Sequence, residues 1–213
     1  MVSKIILIGD AEVGKTNIIS RYVDGEFLEN NISTIGVEYK TKELDVNGEK
    51  ILLQIWDTSG QEKYNAITKN YLRGSDVILF VFDVTKKESF DNINNWLKLS
   101  EGIEGNFVKI LVGNKNDKGE KKISQEVIKN FYEKNNMKYF KISAKEDDNI
   151  NELFEYITNL IEKKIPRRDT EDFSEEIEKE NEKEKLNNPS NINSKSKHLK
   201  TEEKKIESTS KCC

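Results

Sequence analysis

Strand and helix signals that alternate through residue 165 predict an α/β domain on a largely parallel sheet. Apolar runs such as Ile5-Ile6-Leu7-Ile8 and residues 77–84 are near-continuous, as expected of strands buried on both faces. Between such runs lie amphipathic stretches. In residues 149–163, Ile150, Leu153, Phe154, Ile157, Leu160 and Ile161 recur at helical spacing on one face. Asn47-Gly48 stands between two strand-like runs and marks a hairpin, so one strand pair is antiparallel. The expected architecture is a six-stranded mixed sheet, mostly parallel, with helices on both faces. Its ligand should lie outside the C-terminal ends of the strands.

The elements follow in order. Val2–Ile8 reads as the first strand and residues 15–22 as the first helix. Residues 25–36 are polar and aperiodic, hence a loop. Val37–Val46 and residues 51–56 are the hairpin strands. Residues 58–71 read as part loop and part helix. Residues 77–84 form a central strand, and 89–99 a helix with Phe90, Ile93, Trp96 and Leu97 on one face. A strand at 107–112, a helix at 124–134, a strand at 139–142 and the helix at 149–163 complete the domain.

Composition bounds the rest. The chain has 213 residues, enough for one domain and an extension. From Pro166 onward little is apolar: Phe173, Ile177, Leu186, Ile192, Leu199 and Ile206 stand apart among polar and charged residues. Residues 166–213 cannot offset their own ordering entropy and are expected to be disordered. No apolar run is long enough to span a membrane as a helix. The N-terminus leads straight into a strand, leaving no room for a signal peptide, so a cytosolic chain is expected. The two cysteines, Cys212 and Cys213, are adjacent at the end, which excludes a disulfide framework and is too few for structural zinc. A formal net charge of −4 argues against general nucleic-acid binding.

Four motifs carry chemistry. Gly9-Asp10-Ala11-Glu12-Val13-Gly14-Lys15-Thr16 lies between a strand and a helix, the setting of a phosphate-binding loop. Backbone N–H groups and the helix N-terminus would face an anion. Lys15 would neutralise β/γ-phosphates and Thr16 would offer a hydroxyl to Mg²⁺. In Asp57-Thr58-Ser59-Gly60-Gln61-Glu62, the Asp at a strand end can hold Mg²⁺ and Gly60 can bring an N–H close to a γ-phosphate. Gln61, with an amide that both donates and accepts, can orient an attacking water. In Asn114-Lys115-Asn116-Asp117, the Asp117 carboxylate can accept from the N1–H and exocyclic amine of guanine, an edge that adenine presents oppositely. Asn114 ties neighbouring loops together, and the Lys115 stem can lie along the base. Ser143-Ala144-Lys145 can present a backbone N–H to guanine O6.

These motifs, in this order and spacing, resemble the Ras superfamily of small GTPases, and within it the Rab family. The Rab-like stretches are Ile35-Gly36-Val37-Glu38-Tyr39, Leu53-Gln54-Ile55-Trp56-Asp57-Thr58, Lys63-Tyr64-Asn65-Ala66-Ile67-Thr68 and Tyr71-Leu72-Arg73-Gly74. The resemblance covers residues 1–165, and the Cys-Cys ending extends it. It implies a GTPase domain at 1–165 that binds GTP or GDP through Ala11 to Asn17 and the motifs above. It implies that Thr34 serves Mg²⁺ with its hydroxyl and the γ-phosphate with its N–H. Phe27 would cover the guanine; packing onto the first helix is the other reading of that ring. Ile35, Gly36, Val37, Tyr39, Trp56 and Tyr71 would meet effectors, although Trp56 also suits a packing role. Residues 26–39 and 58–71 would be the two switches, ordered by the γ-phosphate.

The ending resembles the Rab double-geranylgeranyl site at Cys212 and Cys213. The implied protein is a monomeric, slow GTPase in vesicle trafficking. It would cycle between the cytosol and the cytoplasmic face of an intracellular membrane. An exchange factor, an activating protein, a dissociation inhibitor and prenylation machinery are the expected partners. The tail is acidic from Asp169 to Glu184 and net basic beyond, which equally suits a plain solvated linker. Ala11, Glu12 and Ser59 depart from the commoner residues of Ras-type loops; slow intrinsic hydrolysis is one expectation, and drift without consequence is the other reading. Two rival readings remain at this point: a GTP-binding scaffold that barely turns over, and an ATP-dependent loop enzyme, against which Asn114, Lys115 and Asp117 argue.

Overall fold

The computed structural model describes residues 1–29, 34, 36–61, 65–103 and 105–163. Ile35 and the tail with Cys212 and Cys213 lie outside the described residues. Among the described residues there are six strands: β1 (Val2–Ile8), β2 (Val37–Val46), β3 (Glu49–Thr58), β4 (Val77–Asp83), β5 (Val108–Asn114) and β6 (Lys138–Lys141). The helices are α1 (Lys15–Asp24), α2 (Asn65–Leu72), α3 (Lys87–Asp91), α4 (Ile93–Ser100), α5 (Gln125–Lys134) and α6 (Ile150–Glu162). The sheet order is β2-β3-β1-β4-β5-β6, with β2-β3 antiparallel and every other pair parallel. Asn47 (φ 55°) and Gly48 (φ 79°) form the two-residue hairpin between Val46 and Glu49, the left-handed pair such a turn requires.

Period-two alternation divides the core between the two faces. Ile5, Leu7, Val77, Leu79 and Val81 pack with Ile18 of α1 and with Leu153, Phe154 and Ile157 of α6. Ile6, Ile8, Ile78, Phe80 and Phe82 pack instead with Leu72, Ile93, Trp96 and Ile128 of the opposite helices. Every residue of β4 is buried, and each large aliphatic or aromatic side chain there contributes about 1.5–3 kcal/mol.

One predicted helix is divided. The stretch expected at 89–99 becomes α3 and α4, separated at Asn92. The Asn94 amide donates to the Asp91 carbonyl at 3.2 Å, and the Asn95 N–H turns to Asn92 O at 2.9 Å. A side chain competing for a helix carbonyl tightens the turn to an i→i+3 bond.

Because β3, β1, β4, β5 and β6 are all parallel, their C-terminal ends share one edge. The register sets Leu7 beside Asp57 and Asp83 beside Asn114 there. That edge is where the four motifs meet.

Candidate functional site

The loop from Gly9 to Thr16 leaves β1 and enters α1. Gly9 has φ 147°, and a Cβ there would lie 2.1 Å from the Val81 carbonyl oxygen of the adjacent strand. Gly14 caps α1 in the left-handed region, and a Cβ would lie 2.4 Å from the Asn114 amide nitrogen. Both glycines therefore permit a backbone approach that no other residue allows. Lys15 is buried inside the loop, where its Nζ donates to Gly9 O at 2.8 Å and Asp10 O at 2.9 Å. Burial pushes its pKa down to about 8, against the pull of Asp57 and Asp10. A buried ammonium whose hydrogen bonds go to neutral carbonyls is poised for an anion. The loop is braced from outside: Asp10 accepts the Trp96 indole N–H and the Asn92 amide, each at 2.8 Å.

Glu12 sits at φ 63°, with its side chain 74% exposed and paired to Lys86 at 3.1 Å. The Lys86 hydrogen bond and charge hold its carboxyl below the usual range. The carboxylate is thus turned to Lys86 and solvent. Val13 is part of the core and offers the site only its backbone.

At the ends of β1 and β3 three oxygen donors converge. The Thr16 hydroxyl donates to Asp57 Oδ2 at 2.7 Å, the Thr34 hydroxyl does so at 3.1 Å, and the two hydroxyls are 3.1 Å apart. Burial raises the Asp57 pKa, opposed by the Thr16 bond, Lys15 and Thr34. Asp57 Oδ1 is buried with no hydrogen-bond partner among the described residues. Hard oxygen donors around a buried carboxylate with an orphaned oxygen fit a small divalent cation such as Mg²⁺. Nearby, the Ser59 hydroxyl accepts the Gln61 N–H at 3.4 Å, and the Ser59 N–H reaches Gly36 O at 2.9 Å. Gly60 lies against the phosphate loop: a Cβ on it would be 2.1 Å from Ala11 N.

The third and fourth motifs build a wall across from the loop. The Asn114 amide donates to Val13 O at 2.9 Å, and its Oδ1 accepts the Ala144 N–H at 3.1 Å. Lys115, at φ 65°, donates to Glu12 O at 2.6 Å and pairs with the fully buried Asp83 at 2.9 Å. Burial opposes ionisation of Asp83, but hydrogen bonds from Thr85 and Lys115 hold its pKa below the ordinary value. The Ser143 hydroxyl donates to Asp117 Oδ1 at 2.6 Å.

One cavity collects these groups. Ala11, Glu12, Gly14, Lys15, Thr16, Asn17, Phe27, Thr34, Gly60, Gln61, Asn114, Lys115, Asp117, Ala144 and Lys145 all line it. Val13, Asp57 and Ser143 stand behind it, acting through the bonds above. Asn17 also holds the segment near Phe27, accepting the Leu28 N–H at 3.0 Å and donating to Leu28 O at 3.3 Å. The aromatic trio lies elsewhere, on the surface. Tyr39, 53% exposed, stacks on Trp56 at 4.8 Å, and Trp56 meets Tyr71 at 5.3 Å. Lys4 lies 4.8 Å from the Trp56 ring and donates to Tyr71 O and Arg73 O, at the end of α2. Arg21, Asp10, Asp83 and Lys4 were not expected from sequence. Most of their partners are backbone carbonyls or residues distant in the chain, which leave no local signature.

A glycine-bracketed loop between a central strand and a helix, with a buried lysine and an adjoining carboxylate pocket, defines a phosphate-binding-loop nucleotide protein. The Ras family model matches residues 4–163. Ras-related protein Rab-2B of Dictyostelium discoideum is 40% identical over 164 residues, covering 76% of this chain and 81% of the relative. Ras-related protein SEC4 of Saccharomyces cerevisiae is 39% identical over 165 residues, 77% of each chain. GTP-binding protein ypt3 of Schizosaccharomyces pombe is 42% identical over 170 residues, 79% of each. The chain belongs to the Ras family and, within it, to the Rab small GTPases.

Proposed function

We propose that residues 1–165 form a guanine-nucleotide switch and that residues 166–213 tether it to a membrane. As a Rab GTPase the chain hydrolyses GTP and acts in vesicle trafficking. The observation that carries the switch reading is Asn114. By holding Val13 O and the Ala144 N–H together, it joins the phosphate cradle and the base pocket into one cavity.

On binding GTP, Lys15 exchanges the Gly9 and Asp10 carbonyls for β- and γ-phosphate oxygens, and the loop N–H groups complete the cradle. Asp117 accepts from the guanine edge, Lys115 flanks the base and Phe27 covers it. Thr16, Thr34 and Asp57 would hold Mg²⁺, which neutralises phosphate charge when bound. Gln61 orients the attacking water, and Gly60 contributes its N–H near the γ-phosphate. Catalysis here is positioning and charge stabilisation, and the loop holds no arginine. An activating protein would therefore supply a cation in trans.

Gly36, Val37, Tyr39, Trp56 and Tyr71, with Ile35, are the proposed effector face. The Tyr39-Trp56-Tyr71 stack supports this, since it puts aromatic rings in contact at the surface beside both switches. Exchange factor, activating protein and dissociation inhibitor would read the same switches. Among the described residues no helix is long and apolar enough to cross a membrane. Geranylgeranyl groups on Cys212 and Cys213 would anchor the chain instead. Two chains hold stably where one is marginal, and nearby lysines add attraction to an anionic leaflet. The site of action is then the cytoplasmic face of an intracellular membrane.

Localising the fluorescent full-length chain beside Cys212→Ser/Cys213→Ser tests the tether. The wild type should sit on membranes and the variant in the cytosol. Equal membrane partitioning of the two would overturn the lipid anchor.

A further inference from the structure

We propose that Arg21 is a positioning residue for guanine recognition: it orients the Ser143-Ala144-Lys145 loop so that the Lys145 N–H faces the base. The proposal rests on that loop being the wall of the base pocket. Arg21 lies in the last turn of α1. Its Nε donates to the Ala144 carbonyl and its Nη2 to the Lys145 carbonyl, each at 3.0 Å. Its Nη1 donates to the Gly25 carbonyl at 2.8 Å, and the guanidinium lies 6.0 Å from the Phe27 ring centroid. Three carbonyls from two loops match the rigid fork of donors that only arginine presents.

The planar trans peptide converts these bonds into direction. A peptide's C=O and N–H point to opposite sides, and no described peptide is cis. With the Ala144 C=O held toward α1, the N–H of that same peptide, which belongs to Lys145, turns the other way. That side is the cavity Ala144 and Lys145 line. The Ala144 N–H is engaged by Asn114 Oδ1, and the Lys145 N–H adds a donor on the cavity side for a base oxygen. The next peptide follows the same rule. Its carbonyl on Arg21 turns the Glu146 N–H toward Ser143 Oγ at 3.2 Å, and that hydroxyl donates to Asp117. One side chain thus sets two successive peptides. The first aims at the base, and the second supports the carboxylate that reads it.

An arginine that only capped α1 through Gly25 would affect all nucleotides alike. The test uses GDP and 6-thio-GDP, which keeps the N1–H and amine but offers a weak sulfur acceptor at position 6. Release rates are measured from the full chain in wild type, Arg21→Met and Arg21→Lys. Wild type should release 6-thio-GDP faster than GDP. Arg21→Met should speed GDP release by about 10- to 100-fold, as loss of charge-assisted bonds does, and 6-thio-GDP release far less. The ratio between the two therefore shrinks. Arg21→Lys keeps the charge, reaches one carbonyl at most, and should shrink the ratio too. Equal acceleration of both nucleotides, unchanged GDP release, or a wild-type ratio in Arg21→Lys overturns the positioning role. No discrimination by the wild type overturns the base-pocket reading itself, and this inference with it.

Discussion

Replacing Asn114 with alanine should separate the proposed phosphate cradle from the proposed base pocket. Asn114 is 2% exposed, and its amide satisfies Val13 O and the Ala144 N–H. Alanine leaves a buried carbonyl and a buried N–H unpaired, at about 1–3 kcal/mol each. A water admitted to the vacated polar space restores part of this, so the expected loss is about 2–4 kcal/mol. For a domain of this size that lowers the melting temperature by about 4–16 °C. The same tie holds the two walls of the nucleotide cavity in register, so GDP release should quicken by about 30-fold or more, the equivalent of the lower bound. Thermal unfolding of the GDP-loaded protein and release of a fluorescent GDP read the two effects separately. A variant that loses stability but releases GDP at the wild-type rate would refute the joining role. One that loses neither would refute the hydrogen-bond reasoning altogether.

Three further outcomes follow from the same geometry. Lys15 has a pKa of about 8 among the loop carbonyls, below its unfolded value of 10.5, so protein stripped of nucleotide should gain stability as pH rises between those values. Polyphosphate restores the ammonium, so GDP binding should take up about half a proton at pH 8 and almost none from Lys15 at pH 6.5, read by calorimetry in buffers of differing ionisation enthalpy; no uptake at pH 8 contradicts this. Gly60→Ala would set a Cβ 2.1 Å from Ala11 N and 2.2 Å from the Asp10 carbonyl carbon, so the loop must retreat. Single-turnover GTP hydrolysis should fall by about 100-fold, the typical cost of an ångström-scale misplacement, and a wild-type rate would remove Gly60 from the reacting geometry. Glu12→Gly frees the left-handed position, and Ser59→Ala frees the Gln61 N–H from the serine hydroxyl. At least one should speed single-turnover hydrolysis; if neither does, these residues do not slow the enzyme.

Much of the site was legible because its parts are local. Gly9 and Gly14 announce a backbone that must pass close to Val81 and Asn114, and Asn47-Gly48 announces its hairpin. The near-continuous apolar runs marked strands buried on both faces, while the division of their side chains between two clusters came from the structure. What escaped were devices whose partners carry no residue type. Arg21 binds carbonyls 123 and 124 residues away, and no pattern in a sequence marks a carbonyl. Asp10 carries no local signal within the loop, yet it anchors the loop to Asn92 and Trp96. The break at Asn92 was hidden for a related reason: apolar spacing continued across it, while the neighbouring asparagine amide decided the local hydrogen bonding.

Selection of guanine by Asp117 beside the phosphate loop is the claim on which the account turns. Equilibrium competition for the nucleotide site, with GTP, ATP and XTP against the wild type and Asp117→Asn, tests it most directly. Xanthine carries a carbonyl where guanine carries the amine, so an amide at position 117 can donate where the carboxylate could only accept. GTP and not ATP should displace nucleotide from the wild type, and Asp117→Asn should shift the preference to XTP. Displacement of the wild type by ATP as readily as by GTP, or an unchanged preference in the variant, would contradict it.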